Sequence, residues 1–363
     1  MSDRGPGELI QWYRCKVSKD DLAKLNQRSD FWGFLQTVGF LALLAGTGTL
    51  AFWASLNLPW YAVVPLFFLH ASCWHFLING FHELIHDSVF KTRMLNRVFL
   101  WIYSFLGPYN HIAFWASHTE HHKFTLHPPD DLEVVLPQSY SVKNFFKTGF
   151  VNLWHPWWFL KGNARIASGR LEGDWEHHLF DDNPRLRTQL IWWARFLLAG
   201  HLTIVAVSVY FGLWQIPLLI TLAPAYAGAL HFFCNASQHV GLRDNVPDFR
   251  LCCRTIYLNP VFQFLYWHMN YHTEHHMYAA VPCYNLPKLH RLIKAEMPHC
   301  PNGLYETWTV IGGILAKQKA DPNYQFQAEV PNPAPGVLKL DAAKAAPAPA
   351  PSEAAPVEVA VAS

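Results

Sequence analysis

The chain has 363 residues and a formal net charge of +2, which excludes a protein held to nucleic acid by phosphate contacts. Only 15% of it is charged while 51% is hydrophobic, against roughly 25% charged in ordinary soluble domains. The charge is also unevenly placed, and its gaps point to a membrane.

Residues 1–30 are polar, with no signal peptide in Met1–Glu8, and are expected to be a cytosolic segment. From Phe31 to His82 there is no Asp, Glu, Lys or Arg, and there is none from Phe196 to Leu242. A spanning helix takes about 20 apolar residues, so each run predicts two spans. The turns fall at Ser55–Pro59 and at Gly212–Pro217. The expected fold is an all-α membrane protein of four transmembrane helices, in two hairpins over about 31–82 and 196–242. Lys16, Lys19, Lys24, Arg28, Lys91, Arg93 and Arg97 flank the first run, and Arg185, Arg187, Arg195, Arg243, Arg250 and Arg254 the second; neither turn has a basic residue. By the positive-inside rule both termini and the polar sequence between the hairpins are cytoplasmic.

Val98–Ser117 is uncharged as well, but Gly107-Pro108 breaks it. Crossing there puts His118 about 30 Å from His82, so this stretch is expected along the interface. The aromatic-rich stretches 145–160 and 256–271 read as interfacial too. The catalytic domain is taken as 31–330. The Ala/Pro-rich sequence at 331–363, with no aromatic residue, reads as a disordered tail. The seven Cys (15, 73, 234, 252, 253, 283, 300) form no C-x-x-C pair and read as reduced, buried thiols.

The pentapeptide His-Thr-Glu-His-His occurs at 118–122 and again at 272–276. At roughly 6% His, an H-x-x-H-H match is expected about 0.07 times by composition. Residues i, i+3 and i+4 share a helix face, so His118, His121 and His122 aim three imidazoles at one point, and His272, His275 and His276 three more. Imidazole suits Fe, Zn, Cu and Ni. The first run ends in His82-Glu-Leu-Ile-His86 and the second in Asn235-Ala-Ser-Gln-His239, each about one helical turn wide and followed by a pentad. The pattern reads as an internal two-fold repeat with the metal site between its halves.

Nine His (82, 86, 118, 121, 122, 239, 272, 275, 276) exceed the four ligands of one zinc site and suit two metals with a position left for water or dioxygen. Asn235 either holds a metal-bound water or caps a helix end. Glu120 and Glu274 fall about 200° around the helix from the first His of their pentads. They are expected to accept the far N–H of a ligand imidazole or to pair with an Arg. Asp130 and Asp131 are candidates for the same role or a solvated charge pair, and Glu83 falls off the face of His82 and His86. The remaining His, among them His70, His75, His201 and His290, fit no repeated spacing and read as structural.

The boxes His82-x-x-x-His86, His118-x-x-His121-His122 and His272-x-x-His275-His276 resemble those of the membrane fatty acid desaturase/hydroxylase superfamily, over about residues 31–300. The resemblance implies a four-helix stalk under a cytosolic helical cap and a non-haem di-iron centre. It makes the nine His iron ligands, Asn235 a ligand through water, and O2 the co-substrate. The substrate it implies is a lipid or fatty acyl chain attacked at an unactivated C–H bond. Desaturation is the first reading and hydroxylation the alternative, since His82–His86 and Asn235–Leu242 are also similar to alkane hydroxylase boxes. Asn270–Met277 looks like acyl-lipid or sphingolipid-type desaturases. No fused cytochrome b5 haem motif is present, which implies a separate electron donor of ferredoxin, rubredoxin or cytochrome b5 type. Two other classes compete. An H-E-x-x-H zinc peptidase, with Glu83 as general base, leaves seven of the nine His unexplained. A metal-binding receptor or transporter places its ligands mid-span, whereas these lie at the ends of the apolar runs.

Overall fold

The computed structural model describes residues 8–138, 145–146, 149–332, 334 and 337. Among these the chain is helical, with three isolated bridges as its extended pairings. Helix α1 (Lys19–Leu25) starts at Ser18, whose side chain accepts from the Asp21 N–H, and α2 (Asp30–Asn57) starts at Ser29, capping Trp32 in the same way. This is the usual solution for orphan N-terminal donors. Helix α3 (Trp60–Trp74) follows Pro59 and runs, across a step at His75-Phe76, into α4 (Leu77–Ile85).

Helices α5 (Arg93–Leu106) and α6 (His111–Phe124) are separated at Gly107–Asn110, and Asn110 caps α6. The break expected at Gly107-Pro108 is there. Then come α7 (His155–Ala167), α8 (Gly173–Phe180) and the 27-residue α9 (Pro184–Tyr210). Among the described residues, three stretches are long and apolar enough to cross a membrane: Asp30–Asn57, Trp60–Ile85 and Pro184–Tyr210. Large apolar side chains on them face outward, among them Trp32, Leu35, Trp53, Trp192, Phe196 and Val209, as a lipid-facing surface requires. The His70 ring joins Thr47 (2.9 Å) to the Leu219 carbonyl (2.9 Å), and His201 joins Thr221 to the Phe105 carbonyl. Both are structural histidines, satisfied inside the bundle.

The second apolar run differs from its expected form. After α9 it breaks into α10 (Gln215–Leu219), a 3₁₀ turn at Ala223–Ala225 and α11 (Ala229–Asn235), with no helix of spanning length. Pro217 and Pro224 each remove a backbone donor, and Ala227 adopts a φ of 61°. A charge-free run records apolarity, not continuity. Gln215 still meets Ser55 at the turn of the first hairpin (3.1 Å).

Helices α12 (Phe249–Cys252), α13 (Pro260–Leu265), α14 (His272–Met277), α15 (Leu286–Ile293) and α16 (Gly303–Ala320) complete the body. The stretch 256–271, expected at an interface, instead contributes Ile256, Tyr266, Trp267 and Met269 to the core. Phe146, Leu153, Trp154 and Trp157 of the other aromatic stretch are exposed. The segments around Trp12 and Asn332 are both fastened to the body. Trp12 stacks on Phe249 (4.0 Å), and buried Arg250 pairs with Asp248 (2.7 Å), lies over the Tyr13 ring and donates to the Glu296 and Asn332 carbonyls. The ordered body therefore continues past 330: Ala334 and Val337 are buried. The rest of the expected tail, from 338, lies outside the described residues.

Gly80, two residues before His82, packs against the rings of Tyr103 and Trp267, both fully buried. An added Cβ falls 2.4 Å from Tyr103 and 2.5 Å from Trp267. Neither ring has room to move, and overpacking of this kind costs about 1–3 kcal/mol. Gly80→Ala is expected to lower the unfolding temperature of the detergent-solubilised protein; a variant as heat-stable as the parent contradicts this packing.

Candidate metal centre

The two pentads occupy helices of different length, α6 and α14, yet the i, i+3, i+4 geometry holds in both, and all six rings point inward. One ring nitrogen from each of His82, His86, His118, His122 and His275 lies within 4.8 Å of all the others. A second group, His239, His272 and His276 with the sulfur of Cys253, meets the same limit. The groups adjoin: the His122 and His276 rings stack at 4.4 Å, and His122 Nε2 is 3.2 Å from His275 Nε2. His121 lies against the second group, its ring 5.0 Å from His276 and 5.3 Å from His239. The middle His of the three in each pentad thus crosses over: His275 of the second pentad joins the first half's rings, and His121 of the first pentad sits with the second's.

Hydrogen bonds fix which nitrogen each ring presents. His239 Nδ1 donates to the Cys252 carbonyl (2.7 Å), so its Nε2 is a bare lone pair. The Thr125 hydroxyl is spent on the His121 carbonyl (2.6 Å), so its oxygen accepts from His276 Nδ1 (3.1 Å), baring that Nε2 as well. His272 Nε2 lies between them, at 2.8 and 3.1 Å. His121 Nδ1 donates to Asp131 (2.8 Å) and His118 Nδ1 to Glu133 (2.7 Å), while His82 Nδ1 is 3.1 Å from Glu83. His86 Nε2 is buried with no hydrogen-bond partner. Buried imidazole nitrogens crowded this closely, two of them with bare lone pairs, are what a cation satisfies, so the residues fit two metal ions.

The acidic residues separate under this test. Asp131, fully buried, accepts from His121 and from the Leu126 and Glu133 N–H groups. Asp130 beside it is half-buried, its N–H donating to the His127 carbonyl. Glu120 pairs with Lys123 (2.8 Å) at the surface and touches none of the nine rings. Glu274 does not touch them either: it accepts from His290 Nδ1 and Thr255 and so anchors α14 to α15. Glu83 is buried against His82 and 3.6 Å from His275 Nδ1 rather than turned off the site. Asn235 is exposed. The i/i+4 relation to His239 presumed a continuous helix, but α11 ends at Asn235 and the chain turns. Glu133 and Cys253 carried no spacing signal; Glu133 sits 15 residues from the ring it holds.

Burial disfavours charged rings here. It pulls His86 down to about 4 and, with His121 nearby, His239 down to about 3, and it lowers His118, His122, His272, His275 and His276 as well. Burial opposes the charged form of His121 too, but the Asp131 carboxylate prevails and raises it. Burial likewise pushes Glu133 up to about 7. At neutral pH most of these rings are ready ligands. Between about pH 6.5, where an unfolded His titrates, and pH 4, the unfolded chain takes up protons that the folded one refuses. Stability present above that window is lost as pH falls through it, by up to about 1.4 kcal/mol per pH unit per ring. Chelator-treated protein is therefore expected to melt at a lower temperature at pH 5 than at pH 7; equal melting rules out neutral burial of these rings.

The sequence model of the fatty acid desaturase family matches residues 58–308. A protein of Oryza sativa subsp. japonica named sphingolipid delta(4)-desaturase DES1-like is 24% identical over 333 residues, covering 86% of this chain and 89% of its own. One of the same name from Arabidopsis thaliana is 26% identical over 291 residues, covering 78% and 77%.

Proposed function

The chain belongs to the fatty acid desaturase family, and from that premise we propose that it is an O2-dependent, non-haem di-iron enzyme that introduces a double bond into the acyl chain of a lipid. The observation that carries the reading is the convergence of eight imidazoles into two adjoining groups, one of five rings and one of three, with the His121 ring against the second. The proposed iron ligands are His82, His86, His118, His122 and His275 for one ion and His239, His272, His276 and His121 for the other. When bound, two irons supply the oxidising power for C–H cleavage with O2.

The chain's own residues do the positioning. Asp131, Glu133, Glu83, Thr125 and the Cys252 carbonyl orient the rings of His121, His118, His82, His276 and His239 in turn. Phe114 stacked on His118 (4.9 Å) and Phe249 against His276 (5.6 Å) help keep water from the rings. Exposed Asn235 gives no support to ligation through water. The sphingolipid in the relatives' names makes that class the first to assay, with hydroxylation of the same carbon as the alternative outcome. Electrons come from a separate ferredoxin, rubredoxin or cytochrome b5-type donor.

The proposed topology keeps both termini and the centre on the cytoplasmic side. Support comes from the broken segment 215–239, which begins against Ser55 at the far turn and returns to the metal groups at His239. It makes the fourth passage in short helices. The deciding experiment is lipid profiling of a host expressing the chain, with elemental analysis of purified protein. About two irons per chain with new double bonds supports desaturation, new hydroxyls support the alternative, and one zinc without lipid change overturns both. Glu83→Gln separates the peptidase reading: a peptidase loses its general base and dies, whereas here the amide still accepts from His82. Iron affinity is then expected to fall by no more than about 10–100-fold.

A further inference from the structure

We propose that Cys253 is a thiolate ligand of the second metal, which makes the two sites chemically unlike: one all-imidazole, the other imidazole and sulfur. The inference deepens the di-iron reading and rests on it. The Cys253 sulfur is within 4.8 Å of a ring nitrogen of each of His239, His272 and His276, as those are of one another. An imidazole nitrogen sits about 2.1 Å and a thiolate sulfur about 2.3 Å from a transition metal, so two donors to one ion lie within about 4.4 Å. The four atoms are within about 0.4 Å of that limit without any adjustment.

The sulfur is built into place. Cys253 is 2% exposed and follows α12 in extended conformation, its N–H donating to the Phe249 carbonyl (2.8 Å). The residue before it orients His239 through its carbonyl. The residue after it, Arg254, is buried and binds the Ser237 and Val240 carbonyls from its guanidinium and the Gln238 carbonyl from its N–H (2.8 Å). Segment 252–254 is thereby stitched to 237–240, so the sulfur and His239 move as one unit. A second observation points to a ligand at the same place: His239 and His276 have committed their Nδ1 protons elsewhere and turn two Nε2 lone pairs onto His272, whose Nδ1 is buried with no partner. The Cys253 sulfur also lies 3.9 Å from the Cys252 sulfur. On coordination the thiol proton leaves to solvent and the S–metal bond forms; nothing is oxidised.

The test is spectroscopic and needs no turnover. The full-length protein in detergent is stripped of metal and reloaded with cobalt(II) chloride. Cobalt bound to imidazole shows visible d–d bands, and a thiolate ligand adds an intense near-ultraviolet sulfur-to-cobalt charge-transfer band. Wild type is expected to show both, Cys253→Ser to lose the charge-transfer band while keeping d–d bands, and Cys252→Ser to keep both. Visible bands without the near-ultraviolet band in wild type, or a band that survives Cys253→Ser, overturns the proposal and leaves the dimetal reading intact. Failure to take up cobalt at all overturns both. Should Cys253→Ser not fold, X-ray absorption at the cobalt edge of wild type decides. One sulfur neighbour shared over two cobalt ions supports the assignment and none overturns it.

Discussion

His118→Ala is expected to abolish activity and to remove iron from the first group of rings. His118 Nε2 is 3.0 Å from His122 Nε2, its ring is 4.4 Å from that of His82, and its Nδ1 is tied to Glu133, so two rings of the group and one carboxylate lose their neighbour at once. Removing a group that only orients a ligand costs about 10–100-fold in affinity or activity; removal of a donor itself is expected to exceed that, with activity down by more than about 10³-fold. Elemental analysis checks it: iron should drop from about two per chain toward about one. Normal iron content with normal lipid products removes His118 from the site. The parallel His272→Ala is expected to empty the second group, whose three nitrogens it links.

Asp131→Ala comes next in size, although the residue touches no metal. Its carboxylate accepts from His121 Nδ1 and the Leu126 N–H, both in the interior, and from the part-buried Glu133 N–H. Leaving buried donors unpaired costs about 1–3 kcal/mol each. The freed ring also loses the hydrogen bond that holds it beside His239 and His276. Both a marked fall in melting temperature and a roughly 10–100-fold loss of iron affinity in chelator competition are expected. Asp131→Asn keeps an acceptor oxygen and should lie between. A variant destabilised but with unchanged iron affinity assigns Asp131 to the fold alone.

What could be read from the sequence divides along a physical line. The pentads were legible because both members of each interaction lie within one helical turn, and a repeat of 3.6 residues leaves a mark on the chain. Three spanning stretches were legible because lipid excludes charge from them. The break in the fourth was not legible, because Pro217, Pro224 and Ala227 interrupt a run that is no less apolar for being broken. Asn235 was misplaced for a related reason: its spacing to His239 has meaning only on a helix, and the helix stops there. Glu133 holding His118, His290 holding Glu274, and Cys253 approaching His239 are tertiary encounters, set by how the loops after each box fold back. No local pattern marks them. Glu120 and Glu274 share a position in identical pentapeptides yet differ entirely, one paired with a surface Lys and the other buried against His290.

The crossing of His121 and His275 between the two halves bears on how the protein is made. With these histidines as ligands, the first ion needs residue 275 and the second needs residues 239, 272 and 276. A nascent chain that has delivered the first hairpin and the first pentad to the membrane holds four of the five rings of one group and cannot close it. On the proposed di-iron reading, iron is expected to enter late in synthesis, after more than 270 residues have emerged, so that a truncated chain would not carry a half-loaded centre.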